Sequence, residues 1–255
     1  MRFLGGLSQR QQQVFEIAAE RWLQIIVEEL PKVNFMGEEV SGVIISAQGL
    51  RIDGVGAILG QAGPSYLRPG SLLPVAGVME FDTADIARME GNGTLESVIV
   101  HEMAHVLGIG SLWRNMGLIQ GSGTANPVFT GLRASEEFAA LIQSDSPTPV
   151  PLENGGGAGT REGHWRENIF GNEIMTGFLD GQVQPFSRMT IGAMEDMGYR
   201  IDYGQADDYQ LFTAFELAMM GINADGEFVQ RCTACERRVR GTQPIVLSED
   251  ALVEE

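Results

Sequence analysis

The stretch His101–Gly108 constrains this chain more than any other part of its sequence. Residues four apart on a helix lie on one face, so His101 and His105 direct two imidazoles at the same point. Glu102 lies one step round the helix, where its carboxylate reaches a water held by a shared ion. This is the His-Glu-x-x-His pattern of zinc hydrolases, and it predicts a catalytic zinc site built on a helix.

The helix that carries this motif is predicted to be buried. It is apolar on nearly every side from Leu95 to Leu107, and a helix of that kind lies between two layers. Burying two imidazoles and a carboxylate there is costly without a partner, and a metal ion is the natural one. Thr94 is the expected N-cap, and Gly108 permits the left-handed turn that ends the helix.

Charge and composition restrict the partners and the location of the protein. The 255 residues include 17 basic and 34 acidic side chains, which give a net charge of −17. Such a surface repels nucleic acid and anionic membranes, so neither is an expected partner. No apolar run reaches the length of a transmembrane segment, and Met1–Ser8 lacks the features of a signal peptide. The chain is therefore expected to be intracellular, or a piece of a longer secreted protein.

The N-terminal part is predicted to form a sheet backed by a helix. Gln11–Glu29 has the apolar spacing of an amphipathic helix that ends before Pro31. Strands are predicted at Val40–Gln48, Ala57–Gln61 and Val75–Phe81, with a proline-containing surface loop at Gly63–Pro74. The last of these strands is expected at the sheet edge, where an extended substrate backbone pairs with it. The turn Asp53–Gly56 could hold calcium, but it lacks the acidic spacing of a calcium loop.

The C-terminal part has fewer regular features. Asn115–Gly163 is rich in glycine, serine and proline and contains one predicted helix, Ala134–Gln143. Another helix, of unknown function, is predicted at Asp207–Met220, and Leu247–Glu255 is expected to be a frayed end. The two cysteines, Cys232 and Cys235, are expected to be free thiols or one small disulfide, because a zinc ribbon needs a second pair.

A catalytic zinc site needs a third protein ligand and one open position. The one histidine outside the motif is His164, 59 residues beyond His105, so only the fold can bring it to the metal. In other His-Glu-x-x-His enzymes a downstream glutamate completes the site. Glu173 and Glu195 are therefore alternatives to His164.

The motif with its following glycine resembles the metzincin zinc peptidases. Most metzincins place the third histidine three residues after that glycine, where this chain has Ser111. The leishmanolysin family instead carries a long insertion, places the third histidine in a His-Trp segment, and follows it with a Glu-x-Met segment. Here His164-Trp165 is followed by Glu173–Gly177. The chain thus resembles the leishmanolysins over roughly residues 11–203, specifically at the zinc motifs and loosely elsewhere.

This resemblance implies a role for each motif residue. One Zn²⁺ would be held by the three histidines His101, His105 and His164, which favours histidine over the glutamate alternatives. Glu102 would act as general base and then as general acid. Gly108 would support the site after the helix, and Met175 would form the apolar floor beneath the zinc.

The fold implied by the resemblance is an α+β, zincin-like (metzincin-like) domain over residues 1–205. An N-terminal subdomain, about 1–110, would hold a twisted mixed sheet, a backing helix and the active-site helix. An irregular C-terminal subdomain, about 111–205, would contain the long insertion 115–163 and the methionine turn, followed by a helix at Ser187–Tyr199. Residues 206–255 would be an extension of unknown role.

The activity implied is that of a zinc metalloendopeptidase acting on proteins or peptides, secreted or extracellular as part of a longer precursor. Two features depart from the parasite leishmanolysins: this chain has at most one disulfide, and no cysteine precedes the catalytic helix to serve as a propeptide switch. Two other hypotheses stay open. One is a non-catalytic zinc-binding or adhesion module on the same fold, against which Glu102 argues; the other is a calcium-binding structural protein.

Overall fold

The computed structural model describes residues 1–56, 60–157, 159–177, 184–219 and 243–253, which form an α+β fold; Cys232 and Cys235 lie outside these ranges. The helices are α1 (Gln9–Ile25), α2 (Thr83–Asn92), α3 (Leu95–Val106), α4 (Leu132–Leu141), α5 (Glu167–Phe170), α6 (Arg188–Asp196) and α7 (Ala214–Met219). The strands are β1 (Arg2–Gly5), β2 (Val33–Phe35), β3 (Glu38–Val40), β4 (Ile44–Leu50), β5 (Gly60–Leu67), β6 (Pro74–Asp82), β7 (Ile119–Gln120), β8 (Val128–Phe129), β9 (Val150–Pro151) and β10 (Ile245–Val246).

The main sheet is mixed and has the strand order β1-β4-β6-β5-β10. Strands β1, β4 and β6 are parallel, and β5 is antiparallel to β6. The strand predicted at Val75–Phe81 is confirmed as β6, but the prediction that it lies at the edge was wrong, because β5 covers it. Strand β10 pairs with β5 only at Tyr66 and Leu67. In the described part of the chain, no strand pairs with the outer edge of β5 before Tyr66.

Strand β5 also corrects the predicted proline-containing loop. The strand contains Pro64, which lies opposite Gly77 of β6, and the pairing shifts in register just after it. Proline has no N–H to donate to a ladder, so it is tolerated on a strand with a weakly paired outer side. Residues 68–73 alone form the predicted connection, and residues 57–59 of the predicted preceding strand lie outside the described ranges.

Helix α1 begins with a reciprocal cap. The Ser8 side chain accepts the Gln11 N–H, and the Gln11 side chain accepts the Ser8 N–H. A buried stripe of four residues faces the core at helical spacing: Phe15, Ala18, Trp22 and Ile25. The helix ends four residues earlier than predicted, because the following residue, Ile26, forms an antiparallel bridge with Ile201.

Helix α3 is buried as the sequence predicted. Every residue from Val98 to Val106 is buried, and the helix packs against α1, β5 and β6. The Trp22 Nε1–H of α1 donates to the Val100 carbonyl at 3.2 Å and so fixes the two helices to each other. Thr94 precedes the helix, but its side chain makes no capping hydrogen bond, which corrects that detail of the prediction.

The region after α3 has more regular structure than expected. The stretch predicted to be mainly loop contains the antiparallel sheet β7-β8-β9 as well as α4. Helix α4 packs against α6, which follows the Glu173–Gly177 segment. The Asp196 carboxylate of α6 accepts the Arg133 and Ala134 N–H groups at 2.9 Å each and thereby holds α4 by its first turn.

Two predictions for the C-terminal part were wrong. The helix predicted at Asp207–Met220 is present only as α7, and the predicted frayed end is partly ordered. The Leu247 N–H donates to the Leu67 carbonyl at 2.9 Å, and the Val253 N–H donates to the Lys32 carbonyl at 3.0 Å. None of the described helices is both long and apolar enough to cross a bilayer.

Candidate metal centre

Three histidines from two distant segments converge inside the protein. The Nε2 atom of His101 lies 3.1 Å from that of His105 and 3.1 Å from that of His164, and the His105 and His164 Nε2 atoms are 3.0 Å apart. All three side chains are buried. Helix α3 supplies two of them, and the third comes from the segment between β9 and α5. Among the described residues this is the one cluster of three or more side chains arranged to hold a metal ion.

Backbone carbonyls orient each imidazole through its other nitrogen. The His101 Nδ1 lies 2.6 Å from the Ile174 carbonyl oxygen. The His105 Nδ1 lies 2.8 Å from that of Ile109, and the His164 Nδ1 lies 2.9 Å from that of Thr160. A carbonyl oxygen can only accept, which assigns the ring proton to Nδ1 and leaves a lone pair on each Nε2. Such carbonyl partners are how proteins fix the orientation of metal-binding histidines.

The donor set fits zinc. Three neutral imidazole nitrogens with a fourth position open is the arrangement of a catalytic zinc site. Zinc–nitrogen bonds of about 2.0–2.1 Å in a tetrahedron place the nitrogens about 3.3 Å apart, close to the separations of 3.0–3.1 Å found here. Three lone pairs that face one another repel unless a cation lies between them, so the geometry favours a bound ion.

Burial also keeps two of these rings, His101 and His164, in the neutral form that binds metal. It lowers the pKa of His101 to about 4. It lowers the pKa of His164 well below the usual value, and the neighbouring imidazoles lower it further. Both rings are therefore neutral near pH 7, and no proton has to leave them before a metal binds.

Glu102 lies on α3 between the two helical histidines and is buried with them. Burial raises the pKa of its carboxyl group to about 8. A divalent cation held beside this group favours the ionised form and so lowers that pKa. The structure thus places a titratable carboxyl group on the helix that supplies two of the converging imidazoles.

The turn after α3 brings the third histidine close. Gly108 has a φ of +105°, in the left-handed region that the sequence predicted for it. Ser111, at the position where most metzincins have a ligand, donates its hydroxyl to the His105 carbonyl at 2.7 Å. Gly110 contacts the backbone of Gly163, the residue just before His164. In this chain the close approach of the Gly110 and Gly163 backbones brings the third histidine near the helix, whereas most metzincins have a ligand at the position of Ser111.

The alternative glutamate ligands are engaged elsewhere. Both carboxylate oxygens of Glu173 accept protein donors, among them the Met175 N–H at 2.7 Å. Glu195 accepts the Tyr203 hydroxyl at 2.9 Å and pairs with Arg133. Met175 itself is fully buried, and its carbonyl accepts the Trp165 N–H at 3.0 Å. The geometry therefore supports histidine as the third ligand.

The turn considered for calcium is organised by backbone N–H donors. The Asp82 carboxylate, at the start of α2, accepts the N–H groups of Ile52, Asp53 and Gly54. Calcium sites instead direct carbonyl and carboxylate oxygens at the ion. Among the described residues, this turn does not contribute to any metal-binding cluster.

Sequence reasoning missed the three carbonyls that orient the histidines. Any residue supplies a carbonyl, so Ile109, Thr160 and Ile174 carry no side-chain signal. The glycines at 110 and 163 were a usable signal, because a glycine beside each motif suggests a close backbone approach.

Three imidazoles converge at one point, and two of them lie on a buried helix that also carries Glu102, so the site can hold a metal ion. A family model described as leishmanolysin matches residues 68–212, more than half of the chain and all of the site. The chain belongs to the leishmanolysin family, a family of zinc metallopeptidases.

Individual relatives are similar over shorter stretches. A leishmanolysin homolog of Crithidia fasciculata is 30% identical over 149 residues, which cover 52% of this chain and 21% of the relative. A leishmanolysin-like peptidase of Drosophila melanogaster is 48% identical over 75 residues, covering 29% of this chain and 11% of the relative. A Drosophila pseudoobscura pseudoobscura protein of the same description is 41% identical over 75 residues, with the same coverage. The alignments span about a fifth or less of each relative.

Proposed function

We propose that this protein is a zinc-dependent endopeptidase. The observation that carries the proposal is the convergence of three Nε2 lone pairs, each ring fixed by a carbonyl, around a point next to the Glu102 helix. His101, His105 and His164 would hold one zinc ion. A purely structural zinc site has a closed set of four protein ligands and needs no buried base, so this set of three favours catalysis.

Glu102 would be the proton carrier in peptide hydrolysis. A zinc ion bound to the three histidines would lower the pKa of a water and polarise the scissile carbonyl. The Glu102 carboxylate accepts a proton from the attacking water and returns it to the nitrogen of the departing amine. Its burial beside His101 and His105 keeps bulk water away from this proton.

The substrate would bind as an extended chain along the outer edge of β5. Strand β5 packs against α3 and pairs with β6 on its inner edge, and in the described part of the chain no strand pairs with its outer edge from Gly60 to Ser65. An extended peptide adds to such an edge through backbone hydrogen bonds, which suits a peptidase that accepts unfolded segments. Strand β5 would therefore be the strand that pairs with the substrate backbone, a role that the sequence analysis predicted for β6.

The division of the chain follows from the same proposal. Residues 1–205 would be the catalytic domain, with Met175 as the apolar floor of the metal site and Gly108 as the turn that supports it. The proposed substrates are proteins and peptides outside the cell, reached as part of a longer secreted precursor.

A matched pair of variants tests the activity. Hydrolysis of an unfolded protein substrate is measured for the purified chain with and without a chelator, and for Glu102→Gln. Glu96→Gln is the control, because it makes the same chemical change at an exposed position of the same helix. General-base catalysis contributes about 10²–10⁴-fold, so Glu102→Gln should lose that much activity while Glu96→Gln loses none. Hydrolysis that survives both the chelator and Glu102→Gln would refute the proposal.

A further inference from the structure

Glu173 is a buried carboxylate at the centre of a hydrogen-bond network behind the metal site. Its side chain is fully buried. Oε2 accepts the Met175 N–H at 2.7 Å. Oε1 accepts the Ser187 N–H at 3.2 Å, the Ser187 hydroxyl at 2.6 Å and the Thr190 hydroxyl. These four donors offset the cost of burying the group, and they tie the Glu173–Gly177 segment to the first turn of α6.

One of these bonds controls the orientation of His101. The N–H that Oε2 holds belongs to the peptide group joining Ile174 to Met175, and the carbonyl of that same group accepts the His101 Nδ1–H at 2.6 Å. A peptide group is planar, so fixing the direction of its N–H also fixes the direction of its C=O. The carboxylate therefore acts on the His101 ring through one rigid unit.

A second path leads to His164. The Thr190 hydroxyl donates to Glu173 and accepts the Trp165 Nε1–H at 2.8 Å. Trp165 follows His164 directly, and its backbone N–H donates to the Met175 carbonyl at 3.0 Å. The residue next to the third histidine is thus held at its ring and at its backbone by groups that Glu173 fixes.

We propose that Glu173 is a positioning residue of the metal centre, which sets zinc affinity by orienting His101 and His164 without contacting the ion. The proposal rests on the proposed function only in that the three histidines bind zinc, and it does not require hydrolysis. Partners that orient metal ligands in this way change metal affinity by about 10- to 100-fold when they are altered.

Glu173→Gln is the sharpest test because the new side chain has the same shape. In either orientation its amide NH₂ must oppose a backbone N–H, either that of Met175 or that of Ser187. Asp196→Asn is the matched control. Asp196 accepts one backbone N–H on each oxygen, so its amide also opposes a donor in either orientation, but the partners are Arg133 and Ala134 of α4.

Zinc affinity is measured by competition with a chromophoric chelator. We expect Glu173→Gln to bind Zn²⁺ 10- to 100-fold more weakly than the unaltered chain, and Asp196→Asn to bind within about twofold of it. Equal affinities in the two variants would overturn the proposal. A chain that binds zinc but hydrolyses no protein would refute the peptidase and leave this comparison intact.

Thr190 supplies a second pair of variants that decides the question if Glu173→Gln does not fold. Thr190→Val removes the hydroxyl between Glu173 and Trp165, and Thr190→Ser keeps it. Weakened zinc binding in Thr190→Val with recovery in Thr190→Ser would support the proposal. The same zinc affinity in both would contradict it. Thr190→Ser loses a methyl group and Thr190→Val does not, so loss of packing alone would weaken zinc binding in Thr190→Ser rather than in Thr190→Val.

Discussion

Replacing Gly110 by alanine should damage the metal centre from outside the set of ligands. Gly110 has a φ of +69°. A Cβ at this position would overlap the carbonyl oxygen of Gly163 and lie 2.7 Å from its carbonyl carbon. The obstacle is backbone rather than the end of a flexible side chain, so it can be relieved only by moving the chain. The residue that moves with Gly163 is the third histidine, His164.

The size of the effect follows from comparison with Gly117. Gly117 has a φ of +71°, and a Cβ there would meet nothing within 4 Å. Gly117→Ala therefore carries only the cost of a left-handed alanine, about 1–2 kcal/mol of unfolding free energy. Gly110→Ala carries the same cost and, in addition, that of an overpacked site, about 1–3 kcal/mol.

Urea unfolding measures the stability of the two variants, and zinc competition measures their affinity for zinc. We expect Gly110→Ala to be about 1–3 kcal/mol less stable than Gly117→Ala and to bind zinc at least about tenfold more weakly. Gly117→Ala should keep the zinc affinity of the unaltered chain. Indistinguishable zinc affinities would show that the Gly110–Gly163 contact does not hold His164 in place.

Two further predictions concern stability away from the ligands. Burial alone would raise the pKa of Asp82, but four backbone N–H donors outweigh it and lower the pKa to about 2. The unfolded chain therefore binds more protons between about pH 4 and pH 2, so this contribution is present above pH 4 and is lost on acidification. Asp82→Asn sets an amide NH₂ against one of these N–H donors, so it should cost about 1–3 kcal/mol at pH 7 and less at pH 3 by urea unfolding, and an equal cost at both pH values would contradict this. Trp22→Phe removes the indole donor to Val100 and should cost about 1 kcal/mol. Its zinc affinity should stay within about twofold of the unaltered chain, and a tenfold loss would show that α1 helps to set the ligands.

The local half of the candidate site could be predicted from the sequence, and the distant half could not. Spacing of four residues on a helix is sufficient to bring His101 and His105 together. No spacing rule relates either of them to His164, and only the resemblance to leishmanolysins selected it over Glu173. In the structure Glu173 accepts other protein donors instead: Oε2 accepts the Met175 N–H next to the carbonyl that contacts His101, and Oε1 accepts the Ser187 hydroxyl at the start of α6.

The errors in the fold arose where tertiary pairing overrides local preference. Pro64 led to the prediction of a loop, yet the residues around it form β5, which pairs with the outer side of β6. The apolar run at Val75–Phe81 identified β6 correctly but could not show that a strand lies on each side of it. Ile245 and Val246 form a strand only because the end of β5 is available to pair with them, which local sequence does not encode.

The zinc content of the purified chain and of His164→Ala tests whether the three histidines hold the ion. We expect one zinc per unaltered chain after dialysis against a weak chelator, and loss of that zinc in His164→Ala, because two histidines alone do not retain it. Retention of one zinc per chain in His164→Ala would show that another residue completes the site and would contradict the three-histidine centre.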